Sequence, residues 1–458
     1  MANIPDLSTL SASEKDALIL TLSARLDAAL KLIAELQARF GNLTGRGKTP
    51  GNSSVPPSQG QKPNHPDKAK REGPRAGSVG RKGGGRALTA VPDETVIARP
   101  SRCGHCQSRL TAADQKLAAC YDKIDLPKVQ PVVTRVECYA GHCQCCGRTT
   151  LAAVPEGLEP GTPFSIGIVA LAMYLRFVHA VSYKRLSRLL LDLYGLAISE
   201  GALDAAFRRG KPSFDADVGR ILARLRRARV VCSDETSVRV EGKTRWNWVF
   251  QNDDVVIHVI RPSRAAGVVT EVLDGHRPAL WVSDLYGAQQ GHADGWQICL
   301  AHQLRDCQYA VEAGDSVFAP RMKALLLRAA VLARRHRNLA ESTRRAYRRR
   351  LEHDLNVIMG LAPTQRDGRR LRKRYGKVRE HLFTFLTHPE VTADNNGCER
   401  ELRPTATYRK VTGGFRSVWG ADLYAATRSV IGTAKRRGVD AYQAIRDTLQ
   451  GQTVLTRG

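Results

Sequence analysis

Apolar positions change their period several times along the chain, and each change marks a segment. Between residues 14 and 43 they recur at heptad spacing, with Ile19, Leu22, Leu26, Ala29, Ile33, Leu36, Phe40 and Leu43 on one seam. This predicts a single helix with a coiled-coil seam, broadened toward an ordinary amphipathic stripe by Leu18, Leu20, Leu30 and Leu32. Residues 41–90 have no period and are rich in Gly, Pro, Ser, Lys and Arg, the composition of a flexible arm. Helical spacing returns over 166–181 and 182–194. A turn with Gly195 and an N-capping Ser199 follows, then a helix expected over 200–209. That order matches a helix-turn-helix.

From residue 228 the period becomes two. Strands are expected over 230–240, 244–251 and 255–260, joined by short turns at Glu241-Gly242 and Asn252-Asp253-Asp254. A helix over 268–273 precedes a fourth strand over 279–284, with a fifth near 297–300, and 319–388 reads as helical throughout. Three antiparallel strands followed by helix–strand alternation is the order of a ribonuclease H-like sheet. The expected fold class is multidomain α/β, with a ribonuclease H-like core of mixed sheet interrupted by a helical insertion. Expected boundaries are a coiled-coil helix at 1–45, a basic arm at 46–95, a zinc-binding module at 96–155 and a helix-turn-helix region at 156–227. The core follows at 228–318, an Arg-rich insertion at 319–390, a catalytic helix at 391–408 and a C-terminal helical region at 409–458.

Charge changes the picture next. The 458 residues carry 71 basic against 44 acidic side chains, a formal +27 that normally meets a polyanion. The excess is concentrated: residues 41–86 hold ten basic and two acidic residues, and residues 321–380 hold nineteen and five. Nucleic acid is therefore the expected partner, with Arg81, Lys82, Arg86, Lys184, Arg185, Arg208, Arg209, Arg409 and Lys410 as candidate contacts. Gly47-Lys48-Thr49 resembles the end of a phosphate-binding loop, but Asn42 stands where such a loop needs glycine, which excludes nucleotide binding there. The longest apolar run, 166–175, is too short to cross a membrane. The first ten residues lack the basic and apolar regions of a secretory leader, so a reducing cytoplasmic compartment is expected.

Eleven cysteines then favour metal over disulfides, because most sit in close pairs. Cys103-Gly-His-Cys106 and Cys143-Gln-Cys-Cys146 are two CxxC turns, which together supply the four thiolates of one structural zinc ion. Cys145, Cys138, His105 and His142 are alternative ligands, and Cys120 reads as a small core residue.

The acids supply the chemistry. Asp234 and Asp284 each close an apolar strand, where a carboxylate is costly unless it holds a metal. Glu235 should point to the opposite sheet face. A third acid is expected from the run Asp394-Asn-Asn-Gly-Cys-Glu399-Arg-Glu401, where Asp394 or an Asn caps a helix and Glu399 falls on its first turns. Glu401 points away around that helix and is expected to be dispensable.

With these pieces in order, the chain resembles the DDE transposases of insertion sequence family sixty-six, TnpC type. The resemblance rests on Asn52-Ser-Ser-Val-Pro-Pro-Ser58, the two CxxC turns, Ser233-Asp-Glu-Thr236, Asp284-Leu-Tyr-Gly287, Cys299-Leu-Ala-His302, the run from Asp394 to Arg403, and the tail from Arg409-Lys410 to Ala434. Val55 replaces a more usual Lys, and Gln-Leu-Arg follows His302 where Ala-Arg-Arg is common. The resemblance implies a bacterial insertion-sequence transposase, nucleoid-associated, that binds terminal inverted repeats and performs strand cleavage and strand transfer. It implies Asp234, Asp284 and Glu399 as ligands of two Mg²⁺ ions, with Asp234 shared between them. Cys299, His302, Asn396, Arg400 and Arg403 are accessory candidates. Target DNA and a second copy of the chain, at least a dimer, are expected partners, with room left for accessory proteins of the same element. A non-catalytic zinc and helix-turn-helix regulator and a ribonuclease H-like structure-selective nuclease are the alternatives.

Overall fold

The computed structural model describes residues 11–44, 86–127 and 129–456. Most of the expected arm, with Arg81 and Lys82, lies outside the described residues. The chain divides into two compact units, residues 1–61, 136–189 and 197–458 forming one, and residues 62–135 and 190–196 the other.

Among the described residues 86–127 and 129–135, the smaller unit has one regular element, a short 3₁₀ turn. Its first CxxC turn is closed by the Gln107 amide donating to the Cys103 carbonyl and the Cys103 amide to the Ser108 carbonyl. Thr89 N–H donates to Asp122 at 2.6 Å, and a 3₁₀ turn at Ala112–Asp114 is capped by Thr111. Cys120 is exposed rather than a core residue, because no packed core forms around this extended stretch.

The larger unit opens with α1 (Ala12–Thr44), one uninterrupted helix whose Ile19, Leu22, Leu26 and Ile33 are all at least half exposed. Next comes a two-stranded ribbon, β1 (Ala140–His142) and β2 (Thr149–Leu151), whose connection carries the second CxxC turn. Three helices follow: α2 (Ile166–Phe177), α3 (Tyr183–Tyr194) and α4 (Glu200–Leu225). Gly195 takes φ +65°, a left-handed value that ends α3 cheaply, and Ser199 Oγ accepts the Ala202 amide at 3.1 Å to start α4. The expected second helix therefore begins where predicted but runs sixteen residues beyond Arg209, through Pro212. Phe214, Ile221 and Leu225 continue its buried face, and this tertiary burial offsets the amide that Pro212 lacks.

The sheet forms as the period-two pattern dictates. Its strands are β3 (Val230–Val240), β4 (Lys243–Gln251) and β5 (Val256–Arg261); then, after α5 (Gly267–Leu273), β6 (Leu280–Ser283) and β7 (Gly295–Ile298). The order across the sheet is β5-β4-β3-β6-β7, with β3–β5 antiparallel and β6 and β7 parallel to β3. The fifth strand lies two residues earlier than expected, because Leu300 already begins a helix.

Helices cover the sheet. After β7 come α6 (Leu300–Glu312), α7 (Phe318–Ala333), α8 (Glu341–Met359), α9 (Arg366–Val378) and the single turn α10 (Thr384–Thr387). They share one apolar core, from Leu280 and Val282 of β6 through Leu300, Met322, Leu351, Leu371 and Phe385. The expected Arg-rich segment is thus a packed helical layer whose arginines are its outer surface. Next, α11 (Asn396–Thr412) lays Cys398 and Leu402 on Val249 and Val256. The last two helices are α12 (Val418–Arg436) and α13 (Ala441–Leu449). On α12, Thr433 and Ser429 accept the Val256 and His258 amides of edge strand β5 at 3.0 and 2.8 Å, closing an edge that would otherwise pair with another chain.

Candidate active site

Register decides where the acids go. In the parallel pair, Cys232 stands opposite Val282, so Asp234 and Asp284 fall side by side two residues further on. Asp284 follows the end of β6 as expected, but Asp234 does not close its strand: it lies inside β3, which stays paired with β4 as far as Val240. Asp234 Oδ1 accepts the Glu235 amide at 2.8 Å, and Asp284 Oδ1 accepts the Tyr286 amide at 2.9 Å. Among the described residues neither carboxylate is paired with a cation. Burial, then the charges of Glu235, Asp284 and Glu399, push the Asp234 carboxyl well above the usual carboxylate range.

The third acid arrives on α11. Asn395, buried just before that helix, donates from Nδ2 to the Ser233 carbonyl at 2.7 Å, and its backbone amide donates to Cys299 Sγ at 3.2 Å. Asp394 Oδ1 accepts the Asn396 amide at 3.0 Å from one position before the helix, while the capping position itself is Asn395, whose side chain makes no capping bond. Glu399 then faces α6, where Arg305 Nη2 donates to its Oε1 at 3.1 Å and His302 Nε2 lies 3.8 Å from the same oxygen. Burial and the neighbouring Arg305 keep the His302 pKa below its ordinary value. Glu401 faces the other way, onto Arg436 at 3.1 Å and Arg428 at 3.7 Å.

Glu235 alternates to the opposite side, as expected, but it is not idle. Its side chain is 1% exposed; one oxygen accepts Arg264 at 2.7 Å and the other Gln289 Nε2 at 2.7 Å. Arg264 lies between the Trp246 and Tyr286 rings, 4.6 and 3.9 Å from their centroids. Arg264, Gln289, Asn395 and Arg305 were not among the sequence candidates. Only Arg305 had a local signal, standing one helical turn after His302.

The remaining candidates are placed as follows. Cys299 is buried, and its thiol pKa is pushed up to about 12 by burial. Arg400, Arg403 and Lys410 are exposed on α11, whereas Arg409 is half-buried and donates to the Ser237 carbonyl and, at 3.0 Å, to its hydroxyl. Lys184, Arg185 and Arg209 are exposed; Arg208 pairs with Asp204 and lies 4.0 Å over the Trp419 ring. Arg86 is exposed in the smaller unit.

Each CxxC turn brings its own thiols together. Hydrogen bonds from Ser108, then Cys103, lower the Cys106 thiol to about 7, and the Cys146 and Cys145 amides lower that of Cys143. Cys103 and Cys106 belong to the smaller unit, Cys143 and Cys146 to the larger. Among the described residues no group of three or more His, Cys, Asp or Glu side chains is drawn together as a finished metal site.

The chemistry of the acids nevertheless fits a hard cation. Two half-buried carboxylates side by side without a counter-cation repel one another, and oxygen donors of this kind suit Mg²⁺. Asn395 Oδ1 and His302 Nδ1, both buried nearby, have no hydrogen-bond partner among the described residues.

The sequence model of the Transposase IS66 family matches residues 161–423. The chain belongs to that family. The matched stretch holds more than half of the chain, including the whole sheet and all three acids, while the CxxC turns and α1 precede it. IS66 membership makes the chain a transposase by family, a class of enzyme that cleaves nucleic acid, with DNA as the implied partner. No curated protein shows significant similarity to the chain. Among the described residues no helix is long and apolar enough to cross a membrane.

Proposed function

We propose that this IS66-family protein is a DDE transposase of a bacterial insertion sequence, cutting DNA at the element's terminal inverted repeats and joining the freed ends to target DNA. One observation carries the reading: Asp234 inside β3 and Asp284 at the end of the adjacent parallel strand β6 lie side by side, with the Glu399 charge close enough to act on Asp234. The strand order and directions support a ribonuclease H-like core. Asp234, Asp284 and Glu399 would hold Mg²⁺, which when bound activates an attacking oxygen and stabilises the leaving one at a phosphodiester. The chain itself positions. Asn395 fixes the helix of Glu399 on the strand of Asp234, and the Glu235–Arg264 pair, packed between two rings, holds the neighbouring backbone still.

Binding is the work of the basic surfaces. On α9, Arg366, Arg369, Arg370, Lys373 and Lys377 are exposed while Leu371 and Tyr375 are buried, so the helix turns a cationic face outward. Such a face takes DNA phosphates, with affinity that falls as salt rises. The four thiolates of the two CxxC turns would suit one zinc ion, and α1 would pair with α1 of a second copy through its exposed seam, burying leucines worth about 1.5–3 kcal/mol each. A chain lacking residues 1–45 should show fewer copies per particle by light scattering; an unchanged number of copies sinks the pairing.

The deciding experiment incubates the purified chain with DNA carrying the ends of its own element, with and without Mg²⁺. Cleavage at the ends that requires Mg²⁺ supports the reading. Binding without cleavage under any divalent ion favours a regulator, and cleavage governed by DNA structure rather than by the end sequence favours a nuclease.

A further inference from the structure

Among the three acids, Glu399 alone has a cation on it. Arg305 stands on the second turn of α6, and its Nη2 donates to Glu399 Oε1 at 3.1 Å. Both side chains are about a quarter exposed, 25% and 27%, so the pair sits at the rim of the site rather than in the core. His302, one turn before Arg305, lies 3.8 Å from the same oxygen, and the charge of Asp284 reaches it. The face of α6 that carries His302 and Arg305 is therefore turned to the acids. The other nearby acid on α6, Asp306, is engaged by Arg374.

A guanidinium and a divalent cation compete for one carboxylate. If Glu399 turns to a metal ion, Arg305 loses its anionic partner at a half-buried position, where an unpaired charge is costly. The anion that enters the site at that stage is the phosphodiester, whose oxygens match a guanidinium in geometry and charge.

We propose that Arg305 is a catalytic residue that exchanges partners, holding Glu399 in the metal-free protein and contacting a non-bridging oxygen of the scissile phosphate once Glu399 has turned to metal. The proposal rests on the reading of Glu399 as a metal ligand. It gives one arginine two effects of opposite sign: it weakens metal binding before DNA arrives and strengthens the transition state afterwards.

The test uses the full chain and Mn²⁺ as the probe, with free Mn²⁺ followed by electron paramagnetic resonance in the absence of DNA. Arg305→Ala should bind Mn²⁺ roughly tenfold more tightly, since the competing charge-assisted hydrogen bond is gone. At saturating Mn²⁺ the same variant should cleave end DNA about a hundredfold more slowly, the loss typical of one removed charge-stabilising donor. Arg305→Lys should recover part of the cleavage, and it carries the test if the alanine variant fails to fold. A merely structural arginine would not raise metal affinity. Unchanged Mn²⁺ affinity in Arg305→Ala, or cleavage at the wild-type rate, overturns the exchange. Glu399→Gln is measured beside it: if that variant binds Mn²⁺ like wild type, the ligand reading of Glu399 falls and the exchange falls with it. If Glu399→Gln loses Mn²⁺ while Arg305→Ala gains none, only the exchange falls.

Discussion

The Asn395 side-chain amide donates to the Ser233 carbonyl at 2.7 Å, joining positions 162 residues apart in the chain. Ser233 precedes Asp234 on β3, and Asn395 precedes the helix that carries Glu399. This bond, with the Asn395 amide on Cys299 Sγ, sets the spacing between the two acids. Asn395→Ala should strand a buried carbonyl and cost about 1–3 kcal/mol in equilibrium unfolding. DNA end cleavage should fall further than the lost stability accounts for. Wild-type cleavage in a folded Asn395→Ala protein would show that the spacing is set elsewhere.

Glu401 illustrates what helical spacing alone conceals. It does point away from Glu399, but onto Arg436 and Arg428, which are 17% and 8% exposed. Arg436 also donates to the Asn252 and Gly432 carbonyls, tying α12 to the β4–β5 turn. The expected dispensable residue is therefore a structural one. Glu401→Gln should destabilise the fold by about 3 kcal/mol, because it leaves buried guanidinium charge uncompensated. An unfolding midpoint equal to wild type would contradict the pairing.

Below neutral pH, His258 should limit stability. It is 2% exposed beneath α12, and burial, then Arg428 and Arg436, hold its pKa well below the ordinary histidine value. The folded protein keeps the ring neutral while the unfolded chain takes up a proton near pH 6.5, so this contribution is present above that pH and lost as pH falls. The expected slope is about 1.4 kcal/mol per pH unit below 6.5. Replacing His258 with Gln should flatten that limb of the stability–pH curve. A slope that survives the substitution would assign it to another group.

Zinc in the CxxC turns is checked by metal analysis. Protein made without chelator should carry about one zinc per chain, lost in the Cys103→Ser, Cys106→Ser double variant and equally in Cys143→Ser, Cys146→Ser. Loss in one pair only would mean that the turns do not share an ion, and zinc-free wild-type protein would remove the proposal.

The strands and their succession along the chain were legible because apolar alternation and the two tight turns are local signals, whereas the placing of β6 beside β3 is a long-range pairing that they do not encode. Asp284 was legible for a related reason, as a carboxylate closing an apolar strand, whereas Asp234 lies inside β3, which runs on to Val240. The groups around them were not. Arg305 reaches Glu399 across 94 residues, Arg264 reaches Glu235 across 29 and Asn395 reaches Ser233 across 162, and no periodicity encodes such pairings. The length of α4 beyond Arg209 was missed because the burial of Phe214 and Ile221 that carries the helix past Pro212 is tertiary.

The most direct test removes one charge at a time from the three acids with little change in shape. Asp234→Asn, Asp284→Asn and Glu399→Gln are compared with Asp294→Asn, a control in an exposed carboxylate paired with Arg277. Each is assayed for Mg²⁺-dependent cleavage of the element's end DNA and for binding to the same DNA. Cleavage is predicted to drop to background in the first three while DNA binding stays within about twofold, since binding depends on cations elsewhere. The control should cleave normally. Wild-type cleavage by any one of the three acid variants, folded and DNA-bound, would contradict the triad.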